Sequence, residues 1–286
     1  MFRTSNPALR NPVFSATQTW DDYESRYGSA GGASAPDSTA GPVDASRHVM
    51  TINGTVTRTF FLLTMCTATS VFSYTKVLDG GMNPLVAMVG GGLVGFIAAM
   101  ICSFAPRSSP FAAPVYALSE GFFLGSLSAL YAMQFATPGD AGEPAALNQA
   151  LVFNAFLLTF GVAGGVLAAY ATKLVRPNRT FYNIVIAGTL GLVLYIPIAF
   201  IAALCGAPGL LSVYDPANGG LISIGFSLLA VGLASANLVL DFDLVNNAVK
   251  NRADKRYEWY AGFAILVTLV WLYVEMLRLL AKLRRE

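Results

Sequence analysis

Four carboxylates lie inside stretches of the chain that otherwise carry almost no charge: Glu120, Asp241, Asp243 and Glu275. A carboxylate near the centre of a bilayer costs at least ~2.5–3.5 kcal/mol on insertion scales, so each one asks for a partner or a purpose. Glu120 stands in Ala117-Leu118-Ser119-Glu120-Gly121, about ten residues into its apolar run and so at ~15 Å depth, with no cation within a turn. It reads equally as a protonated, hydrogen-bonded structural acid and as a group with a role in transport or sensing. Asp241 and Asp243 close a later run, and two residues apart on a helix means ~200° apart, so they cannot both face one pore. Asp241 shares a face with Asn237 and Ala234, a small polar stripe suited to a bundle interior, whereas Asp243 lies on the side of Lys250. Glu275 has Arg278 at i+3 and Lys282 at i+7, which makes a local Glu–Arg pair its plain alternative.

Other chemistries are closed off by composition. The single histidine, His48, lies in a polar segment, so a zinc centre or a histidine-based triad is excluded. Cys66, Cys102 and Cys205 form no CxxC pair and read as small packing residues. An aspartyl dyad would be the remaining enzymatic option, and Asp241 and Asp243 point apart, so no enzyme is expected. A net charge of +2 offers no reason to expect a nucleic-acid partner.

The elements that position these groups are membrane helices. Of 286 residues, 55% are hydrophobic and 12% charged, against roughly 25% charged in a soluble domain. Apolar runs near 59–78, 84–105, 111–135, 149–172, 181–205, 219–243 and 260–281 each supply about the twenty residues that cross a hydrocarbon core. Unpaired backbone is not tolerated in lipid, so runs of this length are helices. Residues 1–57, rich in Ser, Ala, Gly, Pro, Asn and Asp, read as a disordered tail ahead of a membrane domain over 58–286. Glycines crowd several runs, among them Gly91, Gly95, Gly121, Gly125, Gly161, Gly164 and Gly165, as close helix packing requires.

Charge alternates from loop to loop. Arg58, Arg107, Lys173, Arg176, Arg179, Lys250, Arg252, Lys255 and Arg256 flank one set of helix ends, while Asp79, Asp140, Glu143 and Asp215 flank the other. The positive-inside rule then makes the N-terminus and the basic loops cytoplasmic. Seven crossings export Lys282, Arg284 and Arg285, the one violation of that pattern, so the last helix is where the span count is least secure.

The segments Leu240-Asp241-Phe242-Asp243-Leu244-Val245, Tyr257-Glu258-Trp259-Tyr260 and Trp271-Leu272-Tyr273-Val274-Glu275-Met276-Leu277-Arg278 carry a resemblance, as do Met1-Phe2-Arg3-Thr4-Ser5-Asn6-Pro7 and Ala117-Leu118-Ser119-Glu120-Gly121. Together they resemble the bacterial branch of the Bax inhibitor-1/YccA family. The resemblance implies a seven-transmembrane-helix bundle with the last helix central. It further implies a pH-sensitive calcium leak, gated by a carboxylate pair from helices six and seven. Residue by residue those carboxylates match Asp241 and Glu275, with Glu120, Asp243 and Arg278 as secondary candidates. Two such groups share a proton while close, repel when both ionise, and then offer hard oxygen ligands to Ca²⁺ as the permeant ion, with no resident cofactor. The expected setting is the bacterial inner membrane, with the lipid bilayer and other membrane proteins as partners. The alternative is a non-conducting regulator that binds a membrane protease or other membrane proteins. Helix rise adds one geometric expectation: a turn near residue 253 sets Asp241 level with residue ~265, with Glu275 ~15 Å further along.

Overall fold

A computed structural model describes residues 49–136, 148–207 and 209–284. Most of the expected tail, and the loop carrying Asp140 and Glu143, lie outside the described residues, as does Arg285. Within the compact unit Ser46–Glu286, the described residues form seven long helices. They are α1 (Ile52–Leu78), α2 (Pro84–Phe104), α3 (Ser109–Gln134), α4 (Gln149–Ala171), α5 (Arg179–Leu204), α6 (Leu221–Lys250) and α7 (Tyr257–Leu283). A 3₁₀ turn, Pro106–Ser108, joins α2 to α3, and a single helical turn, Gly209–Ser212, precedes α6.

Starts are set by side chains that accept the free N–H groups of a first turn. Asn83 accepts from Leu85 and Val86, Asn148 from Leu151, and Asn178 from Phe181. Thr51 does the same for α1 by accepting from Gly54. That cap lets α1 begin at Ile52, inside the stretch assigned to the tail, although Asn53, Gly54 and Thr55 are poor helix formers.

Six of the seven helices are long and apolar enough to cross a membrane; α3 is not among them. It carries Ser109, Ser119, Glu120, Ser126 and Ser128, and most of its surface is turned into the protein. Outward faces are apolar: Phe60 and Val86 are each 71% exposed and Ile184 is 64% exposed. In water every such side chain forfeits ~1.5–3 kcal/mol of burial, whereas lipid solvates it at no cost. Hydroxyls on these helices are hidden by bonding to their own backbone, as Thr57, Thr59 and Thr64 do to carbonyls one turn earlier.

Helix α7 packs against α1, α3, α4 and α6, while α2 lies against α3 and α5 against α6. In α7, 56% of the apolar stretch is buried, against 17% in α2, α4 and α5. Its two ends meet different neighbours. Near its start, Val49 forms an isolated antiparallel bridge with Asp254, and the Met50 N–H donates to Ala253 O at 2.8 Å. The basic loops gather at this end: Arg58 and Pro110 border one cleft with Lys255 and Arg256, and Ile52 borders a groove with Lys173 and Arg176.

Candidate functional site

The charged groups fall into three levels along α7. At the basic end Glu258 is fully buried in the first turn of α7. Its Oε1 accepts from Thr51 N–H at 3.0 Å and Thr51 Oγ1 at 3.1 Å, and its Oε2 pairs with Arg58 at 2.5 Å. Arg58 also lies over the Trp259 indole, 5.3 Å from the ring centre. A side chain on Gly54 would collide with the Glu258 carboxylate, so this glycine admits the acid to the helix flank.

At mid-depth, Thr268 Oγ1 donates to Asp241 Oδ2 at 2.5 Å, with a longer contact from the same hydroxyl to Ala264 O. Thr268 is buried, and Asp241 is half-buried between α6 and α7. Asn237, one turn earlier on α6, turns instead to α5 and donates to Thr189 Oγ1 at 2.7 Å. Asp243 sits on the other side of α6, as the ~200° rotation requires. Its partner is not Lys250: it accepts from Tyr170 of α4 at 3.0 Å, Tyr182 of α5 at 2.5 Å and Asn247 of α6 at 2.9 Å. Asp243 therefore ties three helices together. Glu120 faces α2 at Gly95, where an added Cβ would stand 2.8 Å from its Oε2, and it accepts no hydrogen bond among the described residues.

At the far end Arg278 donates to both oxygens of Glu275 at 2.8 Å and stacks on Tyr214, 4.3 Å from the ring centre. Lys282, fully buried, donates to Val213 O at 2.7 Å, Ser223 O at 3.0 Å and Ser227 Oγ at 2.8 Å. All three ammonium protons are used, which is how a cation is carried in a buried position. The charges that violate the loop pattern thus include one, Lys282, that is part of the packing.

Asp241 and Glu275 are not brought together. Asp241 is level with Thr268, close to the residue ~265 that helix rise indicates, and Glu275 lies seven residues or ~10 Å further along α7. The local Glu–Arg pair is what forms at Glu275. Thr268 and Glu258 carry no signal that a reading of acids in apolar runs detects. A threonine blends into Leu266-Val267-Thr268-Leu269-Val270, and the Arg58–Glu258 pair joins residues two hundred positions apart. Only the antiparallel level of α6 and α7, counted from their turn, could have pointed to Thr268.

A family model, Bax inhibitor 1 like, matches residues 11–285 of this chain. The chain belongs to the Bax inhibitor 1-like family. No curated protein and no solved structure matches it. In this Bax inhibitor 1-like membrane protein, Asp241, Asp243 and Glu258 stand at joints between α6 or α7 and neighbouring helices, where a change of charge would act on packing.

Proposed function

We propose that this protein is an ion-permeable membrane bundle of the calcium-leak type, gated at the contact between α6 and α7. Its seven helices all cross the inner membrane, α7 is the central one, and the basic loops face the cytoplasm. The observation that carries the reading is the Asp241–Thr268 hydrogen bond at mid-depth, a carboxyl group without a cation at the meeting of two helices. A neutral carboxyl both donates to and accepts from the threonine hydroxyl, holding the helices together. An ionised one only accepts, and it leaves a charge at a depth where charge costs ~2.5–3.5 kcal/mol unless water or a cation enters. Entry of Ca²⁺ supplies that compensation through hard oxygen ligands. In this form of the gate the second carboxylate is replaced by a hydroxyl, and Glu275 with Arg278 anchors the far end of α7.

The test is Ca²⁺ flux into liposomes across a pH series. Flux through the unaltered protein rises as pH rises, Asp241→Asn removes the pH dependence, and Asp241→Glu retains it. Thr268→Ala loosens the closed state and raises flux at low pH. A pH profile unchanged in Asp241→Asn defeats the gate.

A second reading, a regulator that binds other membrane proteins, is favoured by one feature. Gly161, Gly164 and Gly165 on α4 have open space beside them among the described residues. Cross-linking from α4 in cells, scored against flux, separates the two: partners lost with flux intact supports the regulator.

A further inference from the structure

Helices α1 and α4 flank α7 on the same side but are not packed along one another. The gap between them holds two cavities. One, of about 470 Å³, is lined by residues such as Val71, Tyr74, Phe153 and Phe156. The other, of about 780 Å³, is lined by residues such as Val56, Phe60 and Leu167, and it reaches the loop after α4. Leu63 borders both, and α7 contributes Ile265 to one and Leu266, Leu269 and Val270 to the other. The lining along α1 runs from Ile52 to Tyr74, which is ~33 Å of helix and spans a hydrocarbon core.

Charge along this crevice is one-sided. At the basic end the larger cavity is bordered by Lys173 and Arg176, both exposed and neither in an ion pair among the described residues. Lys173 is held there by the chain itself: it follows the end of α4 with φ at +60°, its N–H donating back to Tyr170 O. The acid in the same lining, Asp243, is already met by Tyr170, Tyr182 and Asn247, so the cations are not neutralised by it. Beside them Leu174 is 82% exposed, an apolar side chain next to two charges, as suits a membrane interface.

An apolar trough a bilayer long, with two cations unpaired among the described residues at one mouth, complements a molecule with a hydrocarbon tail and an anionic head. We infer that the α1–α4 crevice is a binding site for one anionic phospholipid. Its acyl chain lies between α1 and α4 on α7, and its phosphate is held by Lys173 and Arg176. The site is independent of the gate, since neither cation touches Asp241 or Thr268.

The experiment is native mass spectrometry of the full chain released from mixed micelles containing phosphatidylglycerol and phosphatidylcholine. One phosphatidylglycerol is retained about tenfold or more over phosphatidylcholine, as two basic groups at a lipid surface provide. The double variant Lys173→Ala/Arg176→Ala loses that preference. Leu167→Trp, at a half-exposed wall of the crevice, lowers retention of both lipids. The control double variant Lys250→Ala/Arg252→Ala, which removes equal charge elsewhere at the same end, keeps the preference. Equal retention of the two lipids by the unaltered protein overturns the inference, because the crevice is then a gap filled by any lipid. So does a control variant that loses as much preference as the Lys173/Arg176 pair.

Discussion

Two sets of glycines in this protein look alike in sequence and do opposite things. In α2 and α3, Gly91 presses on Ser119 O and the Phe123 N–H, Gly121 on Thr69 and Cys66 O, and Gly125 on Ser70 O and Ser73. In α4, Gly161, Gly164 and Gly165 have open space where a side chain would be. The first set lets α3 approach α1 and α2 closely enough for buried hydroxyls to meet, as Ser73 and Ser126 do at 2.8 Å. The second set has no partner among the described residues. Small-xxx-small spacing marks the ability of a helix to be approached, and says nothing about whether the approaching helix belongs to the same molecule.

The largest effect is expected where that distinction is broken. Gly121→Leu forces α3 away from α1 and costs about 3 kcal/mol or more, since the short Thr69 side chain and the Cys66 carbonyl both stand in the way. Folded yield and thermal unfolding in detergent read this out. Next comes Glu258→Gln, which leaves Arg58 half-buried without its counter-charge and costs about 3 kcal/mol. If its unfolding temperature matches that of the unaltered protein, Thr51 alone holds the start of α1. Lys282→Met, at the far end, leaves two carbonyls and a hydroxyl short of a donor and costs about 2 kcal/mol. Glu275→Gln costs about 1 kcal/mol, because Arg278 keeps its stacking on Tyr214. The smallest effect belongs to the open face. Gly164→Leu changes stability of the isolated chain by less than about 0.5 kcal/mol. A large loss there would erase the contrast between the two glycine sets.

Much of the architecture is visible in the residues themselves. Asn83, Asn148 and Asn178 stand just before apolar runs, and their helices begin within two residues of the expected places. The end of α6 is less visible. The helix continues to Lys250, seven residues past the expected end at 243, with Asn246 and Asn247 drawn into the hydrogen bonds around Tyr170 and Asp243. The acids stand out because charge is rare in such runs. Their partners do not: Thr268, Tyr170, Tyr182 and Ser227 are ordinary residues until folding brings a carboxylate or an ammonium beside them. Asp241 could be named from sequence, but its contact is a relation between two helices, set by the length of the turn joining them.

Lys282 and Glu258 act together like the pins of a beam. One fastens the end of α7 to the segment entering α6, the other fastens its start to α1, and Thr268 lies ~21 Å from the first pin and ~15 Å from the second. A beam held at both ends cannot slide along its length. What remains to it is to bow or to twist, with displacement greatest near the middle and vanishing toward each support. The Asp241–Thr268 contact occupies that region of greatest compliance, so a small change of charge there meets the least mechanical resistance the helix can offer.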